Sequence, residues 1–140
     1  MEKSQASEQR SEDKIMLTIT NTTKQSPISQ DSDFVAISEK ILGKKYNLSL
    51  VFVGERAAQK LNIEHRKKDY IPNILSFPLS KSEGEIFICL KTIKKECAQY
   101  EMTPQQYEKF LFIHGCIHLK GLDHGPEMEK QENKFIKIFL

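Results

Sequence analysis

The chain has 140 residues, of which 29% are charged and 39% are hydrophobic, and it carries a net charge of +2. This length is enough for one domain with a single core, and the composition is that of a soluble globular protein. Because no apolar run approaches the length of a membrane span, we expect no membrane partner. The small positive charge permits binding to a polyanion but does not require it.

The polar N-terminal stretch MEKSQASEQRSEDK contains no apolar segment. It therefore does not predict a secretory signal. We expect residues 1–13 to be a disordered extension and residues 14–140 to form a single domain.

The three cysteines are Cys89, Cys97 and Cys116, an odd number without a CxxC spacing. This pattern is typical of reduced thiols, so we expect a cytoplasmic protein in which each cysteine is a small core residue. Cys116 lies between two helical histidines and is expected to face away from them, because two residues rotate a helix by about 200°.

The hydrophobic pattern predicts the elements of the domain in chain order. They are a strand at Ile15–Thr20, a helix at Asp33–Leu42, a strand at Leu48–Val53, a helix at Glu55–Arg66, strands at Ile74–Leu79 and Glu85–Leu90, a short helix at Lys91–Tyr100, a helix opened by Thr103, and a last helix at Glu127–Phe139. In the helix at Glu55–Arg66, the residues that share one face are Ala57, Ala58, Leu61 and His65.

This order of elements predicts the fold class. The turn-rich stretch SKSEG predicts a hairpin between the last two strands, and the helix at Glu55–Arg66 predicts a crossover between two others. We expect an α+β fold in which helices pack on a mixed sheet of about four strands. We also expect a metal site on a helix and turn near the C-terminal half.

The helix after Thr103 has a well-marked start. Thr103 is a good N-cap, Pro104 suits the first helical position, and Gln106 completes a capping box. The stripe along this helix consists of Tyr107, Phe110, Leu111, His114 and His118. Its two histidines continue an apolar face, so we expect them at the edge of the core.

Three of the four histidines fall in the run HGCIHLKGLDH, at His114, His118 and His124. A spacing of four on a helix points His114 and His118 the same way, one turn apart. Gly121 can end the helix and reverse the chain, which brings His124 back to the same place. Three neutral imidazoles leave one tetrahedral position open, as in a catalytic zinc site. We therefore predict one Zn²⁺ per chain and no other cofactor.

The ligand spacing is that of the metzincin proteases, HxxxHxxGxxH, with one departure. Those enzymes carry a glutamate directly after the first histidine as general base, and here that position is Gly115. A metalloprotease therefore stays as an alternative that lacks its base. Separate packing or surface roles for the three histidines are the other alternative.

The same run resembles the signature of the YbeY family, H-G-x-x-H-L-x-G-x-D-H, at each fixed position. The family comprises bacterial rRNA maturation factors classed as zinc-dependent endoribonucleases. LNIEHRKKD, LSFP and GEIFIC also resemble family segments, in the right order and at the right separations. The resemblance covers roughly residues 48 to 125.

The resemblance implies a zinc-dependent endoribonuclease specific for single-stranded RNA. It implies a role in maturation of the ends of small-subunit (16S) rRNA and in ribosome quality control, with rRNA and the ribosome or small-subunit proteins as partners. The family's functional arginine corresponds to Arg66, whose guanidinium suits a scissile phosphate. Asp123 adjoins His124 and could orient a ligand imidazole or cap the turn. A non-catalytic, zinc-containing ribosome assembly factor is a further alternative.

The chain departs from the family pattern at two places. The usual Thr-Asp pair before the V-L-S-F run is replaced by Pro72 and Asn73, and the aromatic residue before the aspartate of the metal motif is replaced by Leu122. Asn73 keeps the shape of an aspartate and loses its charge. If that carboxylate orients Arg66 or substrate, activity is altered. The sequence does not identify a general base, and His65 is expected to be surface or core filler.

Overall fold

A mixed five-stranded sheet forms the centre of the computed structural model, which describes residues 2–5 and 17–140. The spatial order of its strands is β1-β2-β3-β5-β4. The strands are β1 (Glu2–Gln5), β2 (Leu17–Asn21), β3 (Asn47–Val53), β4 (Ile74–Ser80) and β5 (Glu83–Cys89). Parallel pairing joins β2 to β3 and β3 to β5, whereas β1 and β4 are antiparallel to their neighbours.

Five helices accompany this sheet in the described residues. They are α1 (Asp31–Leu42), α2 (Glu55–Arg66), α3 (Leu90–Glu96), α4 (Pro104–Leu119) and α5 (Pro126–Phe139), with a 3-10 turn at Cys97–Tyr100 after α3. The α+β class and the mixed sheet are as predicted. Within the described part of the chain, no helix combines the length and apolarity needed to cross a bilayer.

Strand order follows from burial on the two sheet faces. Along β3, Leu48, Leu50 and Phe52 are buried on one face, and Val53 belongs to a separate cluster on the other. A strand covered on both faces belongs inside a sheet. The end of β4 is exposed and contains Pro78, which lacks an N–H and is tolerated at an edge. The hairpin of β4 and β5 therefore places β5 next to β3 and leaves β4 outside.

The predicted crossover through α2 differs from the observed connection. The chain leaves β3 through α2 and enters β4, which lies two places away and runs antiparallel to β5. The parallel neighbours β2 and β3 are instead joined through α1. The sequence pattern does not distinguish these connections, because the hairpin can pair with β3 through either of its strands.

The two faces of the sheet carry different helices. On one face α1 and α4 form the main core, where the rings of Phe34 and Phe112 meet edge to face at 5.0 Å. On the other face α2 contributes Ala58 to a smaller cluster. The buried residues of α2 are Ala58 and Asn62, whereas His65 is exposed, so the predicted α2 face is rotated from the observed one.

The N-terminal extension is described only in part. Of residues 1–13, Glu2–Gln5 form β1, an edge strand antiparallel to β2. The other residues of that stretch lie outside the described part of the chain. The proposed boundary between residues 13 and 14 stays a prediction.

Candidate metal centre

The start of α4 is fixed by the predicted capping box. The Thr103 hydroxyl accepts a hydrogen bond from the Gln106 backbone N–H at 3.1 Å, and the Gln106 side chain accepts one from the Thr103 N–H at 3.0 Å. Both exchanges satisfy N–H groups that a helix end leaves unpaired. The helix then runs through the core to His114 and His118, which are half-buried one turn apart, as the stripe predicted.

The turn after α4 returns the chain to the histidines. Gly121 adopts a φ of +97°, a conformation that favours glycine, and its N–H donates to the His118 carbonyl at 2.9 Å. The turn places His124 with the helical pair. The nitrogen atoms that the three imidazoles offer all lie within 4.8 Å of one another. The structure therefore brings together the three residues that the sequence proposed.

The Nδ1 atoms of the two helical histidines are both engaged. Nδ1 of His118 donates to the Leu122 carbonyl at 3.0 Å, and Nδ1 of His114 bonds the carboxylate of Glu132 on α5. A carbonyl oxygen and a carboxylate are acceptors, so each Nδ1 carries the proton in the neutral imidazole. Each Nε2 then carries a lone pair.

Those two Nε2 atoms face each other at 3.1 Å. Two lone pairs at this distance repel, and a cation between them removes the repulsion. Two nitrogens bonded to one tetrahedral zinc at about 2.0–2.1 Å are separated by about 3.3 Å, close to the observed spacing. The residues present therefore fit a divalent metal, with His124 as the third ligand.

The surroundings of His118 favour its neutral form. Burial lowers the pKa of His118, and the neighbouring His114 and His124 lower it further. A neutral imidazole keeps the lone pair that a metal requires. Cys116 is fully buried in the core, where burial raises the pKa of its thiol, so it faces away from the cluster as predicted.

Close packing at Gly115 sets the position of α4 on the sheet. A Cβ built at this residue would lie 2.8 Å from Cδ1 of Ile74 and 2.9 Å from Oγ of Ser76. The Ser76 hydroxyl also donates to the Gly115 carbonyl at 3.2 Å. Glycine inside a helix costs about 1 kcal/mol relative to alanine. Here it allows the metal-binding turn of α4 to lie directly against β4.

The histidines open into a cleft of about 600 Å³. The lining residues are Arg66, Tyr70, Asn73, Ile74, Leu75, Ser76, Pro78, His114, His118, Asp123 and His124. Arg66 and Asp123, which were predicted from the sequence as site residues, therefore line the same cleft as the histidine cluster. The hydrogen bond of His118 goes to Leu122 and not to Asp123, so an orienting role for Asp123 stays a prediction.

One side of this cleft is the Arg66–Tyr70 wall, formed by the end of α2 and the loop that follows. Asn62 is fully buried and holds both ends of this wall. Its Oδ1 accepts from Nη1 of Arg66 at 3.3 Å, and its Nδ2 donates to the Tyr70 carbonyl at 3.0 Å. Gln59 donates to the Asp69 carbonyl at 2.6 Å. The loop backbone is therefore tied to α2 at two consecutive residues.

Asn73 has a structural role that explains its departure from the family pattern. Its Nδ2 donates to Oε1 of Glu96 at 3.1 Å and lies 3.3 Å from the Tyr107 hydroxyl, which donates to the same carboxylate oxygen at 2.7 Å. An aspartate at this position would face Glu96 with a like charge and no proton to donate. In this chain an amide suits the cleft wall better than a carboxylate.

Sequence reasoning missed Glu132 and Asn62. On α5, Glu132 lies four residues after Met128 and three before Phe135, and both of those are buried. A carboxylate on a buried helical face is a signal that it bonds a partner. Asn62 carries a comparable signal, because it lies one turn after the buried Ala58 on α2.

Comparison with known proteins gives a family. A profile described as Endoribonuclease YbeY matches residues 5–138. A protein named Endoribonuclease YbeY from Neisseria meningitidis is 31% identical over 89% of this chain and 82% of its own length. One of the same name from Buchnera aphidicola is 35% identical over 90% of this chain and 89% of its own.

Two further matches differ in what they cover. The Endoribonuclease YbeY of Mesoplasma florum is 35% identical over 67% of this chain, and the chain spans 62% of that relative's length. The solution structure of TM1509 from Thermotoga maritima matches 87% of both chains with a TM-score of 0.61 and 24% identity. That second match shows that the fold is shared.

Proposed function

The chain belongs to the YbeY family of endoribonucleases, and from that premise we propose that it cleaves single-stranded RNA with a zinc ion held by His114, His118 and His124. Family membership makes it a nuclease and therefore a hydrolase. The observation that carries the proposal is the pair of Nε2 atoms facing each other at 3.1 Å, at the edge of a cleft that also contains Arg66.

The chain's own residues prepare the metal site. Glu132 and the Leu122 carbonyl fix the tautomer and ring orientation of the two helical histidines. His124 is more exposed than the other two histidines, and all three line the cleft. The side of the cluster that carries no ligand therefore faces the cleft. When bound, the metal supplies Lewis-acid activation of a phosphoryl oxygen and of water.

Arg66 is proposed to bind the scissile phosphate. A guanidinium is always charged and presents a planar fork that matches two phosphate oxygens. Arg66 is exposed at the end of α2, lines the cleft, and is restrained by one hydrogen bond to the buried Asn62. Its charge is therefore available to a phosphate beside the proposed metal.

The cellular role is proposed from the family. We infer that the substrate is rRNA, that the protein acts on the ends of small-subunit (16S) rRNA and in ribosome quality control, and that it works in the cytoplasm with the ribosome or small-subunit proteins. The net charge of +2 is compatible with a polyanionic partner.

The packing at Gly115 disfavours the metalloprotease alternative. Position 115 has no side chain to act as the base, and a side chain placed there would require the close side chains of Ile74 and Ser76 to shift. Under the other alternative, a non-catalytic assembly factor, the protein would bind the same metal but would not cleave RNA. Only a cleavage experiment separates it from the proposed enzyme.

The test is a cleavage assay on matched substrates. The purified protein is incubated with a free single-stranded RNA, a pre-ribosomal RNA particle and casein, each with and without a metal chelator. A His118→Ala variant serves as the control for a contaminating nuclease. We expect chelator-sensitive cleavage of RNA by the wild type, none by the variant, and intact casein.

The other outcomes identify the alternatives. Chelator-sensitive cleavage of casein with both RNA substrates intact would restore the protease. Binding to the pre-ribosomal particle without cleavage of any substrate would identify an assembly factor. Equal RNA cleavage by wild type and His118→Ala would show that the histidine cluster is not the reactive centre.

A further inference from the structure

Tyr70, at the end of the Arg66–Tyr70 wall, is exposed, and no polar or ring contact of its side chain with the described residues fixes it there. Tyr70 is 51% exposed. Among the described residues, no hydrogen bond or ring contact engages its ring or hydroxyl, and only its backbone carbonyl is held, by Asn62. Tyr107, by contrast, stacks on two rings and donates its hydroxyl to Glu96. An exposed aromatic ring beside a polar cleft is a candidate binding surface, because aromatic residues are enriched in binding interfaces and pockets.

The location of Tyr70 gives the chemistry of its ligand. It lines the metal cleft together with Arg66, and it also lines a second cleft of about 670 Å³. The second cleft is lined by Ile63, Glu64, Lys67, Lys68, Asp69 and Tyr70. Tyr70 therefore lines both clefts, and basic side chains are present in both of them.

The backbone around Tyr70 is already ordered. Nδ2 of the buried Asn62 donates to the Tyr70 carbonyl, and Gln59 donates to the preceding carbonyl of Asp69. Because these bonds hold the main chain, the ring is presented at the cleft at little entropic cost on binding. The same asparagine bonds Arg66, so one buried side chain holds both the Tyr70 main chain and the Arg66 guanidinium.

We propose that Tyr70 is a stacking platform for a nucleobase of the RNA, on the nucleotide next to the phosphate held by Arg66. Single-stranded RNA is recognised through unstacked bases laid on aromatic side chains, and each base has a π-face, so such a platform tolerates many sequences. The strand continues past Tyr70 into the second cleft. This inference rests on the proposed function and assigns a subsite to it.

The inference is tested by removing each partner of the contact separately. Affinity is measured by fluorescence anisotropy with the zinc-loaded protein in the cold, before cleavage is detectable on a gel. The ligands are a short single-stranded RNA and the same RNA with one abasic nucleotide, placed in turn at each position flanking the cleavage site. The variants are Tyr70→Leu, which removes the π-face, and Tyr70→Phe, which keeps it.

Tyr70→Leu is expected to weaken binding of the intact RNA at least five-fold, the lower end of the ~1–3 kcal/mol that base stacking on an aromatic contributes. Tyr70→Phe is expected to bind like the wild type. With one abasic RNA, wild type and Tyr70→Leu should bind equally, because the stacked base is already missing. Tyr100→Leu is the matched control, since Tyr100 is 52% exposed and does not line either cleft.

The results that overturn the inference are distinct from failure of the proposed function. If the wild type binds single-stranded RNA and Tyr70→Leu binds it equally well, the platform is wrong and the proposed function stands. If Tyr70→Leu loses the same affinity for intact RNA and for every abasic RNA, the platform is also wrong, because Tyr70 would then contact another part of the ligand. If the wild type itself binds no RNA, the proposed function falls and the platform falls with it.

Discussion

The histidine cluster and the Arg66–Tyr70 wall face the same cleft but are held in different ways. His114 and His118 are half-buried, and each has its second ring nitrogen engaged by an acceptor from α5 or from the turn. Arg66 and Tyr70 are exposed, and their side chains together make one hydrogen bond. A metal requires ligands fixed in one geometry, whereas Arg66 and Tyr70 are held mainly through Asn62. Substitutions on the two sides of the cleft are therefore expected to change different properties. Those in the histidine cluster should change zinc affinity, and those in the Arg66–Tyr70 wall should change the binding and cleavage of RNA.

Removing a ligand histidine is expected to have the largest effect. His118→Ala should lower zinc affinity by more than about 100-fold, since loss of a hydrogen-bonding partner of a ligand alone costs about 10–100-fold. The measurement is zinc content after dialysis, by elemental analysis. His65→Ala is the matched control, because His65 is exposed and packs against the Phe77 ring instead of the cluster. Full zinc occupancy in His118→Ala protein would contradict the site.

Substitution of Glu132 tests whether its bond to Nδ1 of His114 contributes to zinc affinity. Glu132→Ala removes the carboxylate that bonds Nδ1 of His114 and should lower zinc affinity about 10–100-fold. Glu132→Gln keeps an acceptor without the charge and should fall between alanine and wild type. Competition with a chelating dye measures both. Glu129→Ala on the exposed side of α5 should match the wild type, and an equal loss there would assign the effect to the helix instead of the bond.

Arg66→Lys is expected to impair RNA cleavage without changing zinc binding. Lysine keeps the charge but cannot rebuild a two-point phosphate contact, and a hydrogen bond to a charged group contributes about 1.5–3 kcal/mol. We therefore expect kcat/KM for RNA cleavage to fall about 10-fold or more while zinc content is unchanged. Arg56→Lys, on the exposed surface of the same helix, is the control. An unchanged kcat/KM in Arg66→Lys would remove Arg66 from the site.

Asn73→Asp is expected to have the smallest effect on the site and a measurable one on stability. The aspartate loses the amide that donates to Glu96 and places a second carboxylate beside it. Leaving such a group unpaired costs about 1–3 kcal/mol, which denaturant unfolding detects. Asn133→Asp, exposed on α5, is the control. Equal stability of Asn73→Asp and wild type would mean that the departure from the family pattern has no structural reason.

The histidine cluster could be predicted from sequence because its geometry is local. A spacing of four on one helix and a glycine turn are enough to bring three imidazoles together, and no contact between distant elements is needed. The bounds of α1, α2, α4 and α5 were also predicted closely from hydrophobic spacing and capping residues, whereas β1 was not predicted. The structure adds that Gly115 is closely packed against side chains of β4, where the sequence showed only a missing base.

The supporting contacts could not be predicted in the same way. Glu132 reaches His114 from another helix, and Asn73 meets Glu96 across twenty-three positions of sequence. Such partners depend on how elements pack, which periodicity does not specify. The α2 face illustrates the limit, because a rotation of the helix brings Asn62 inside and leaves His65 outside. That rotation is what connects Arg66 and Tyr70 to one buried amide.

A metal titration under single-turnover conditions tests the central claim, that one metal on the histidine cluster is required for RNA cleavage. Metal-free protein receives increasing zinc, and the rate of cleavage of a single-stranded RNA is followed. We expect the rate to rise in proportion to added zinc and to level off at one equivalent per chain, and His118→Ala protein to show no such rise. Full cleavage by the metal-free protein, or the same titration curve from His118→Ala, would contradict the account.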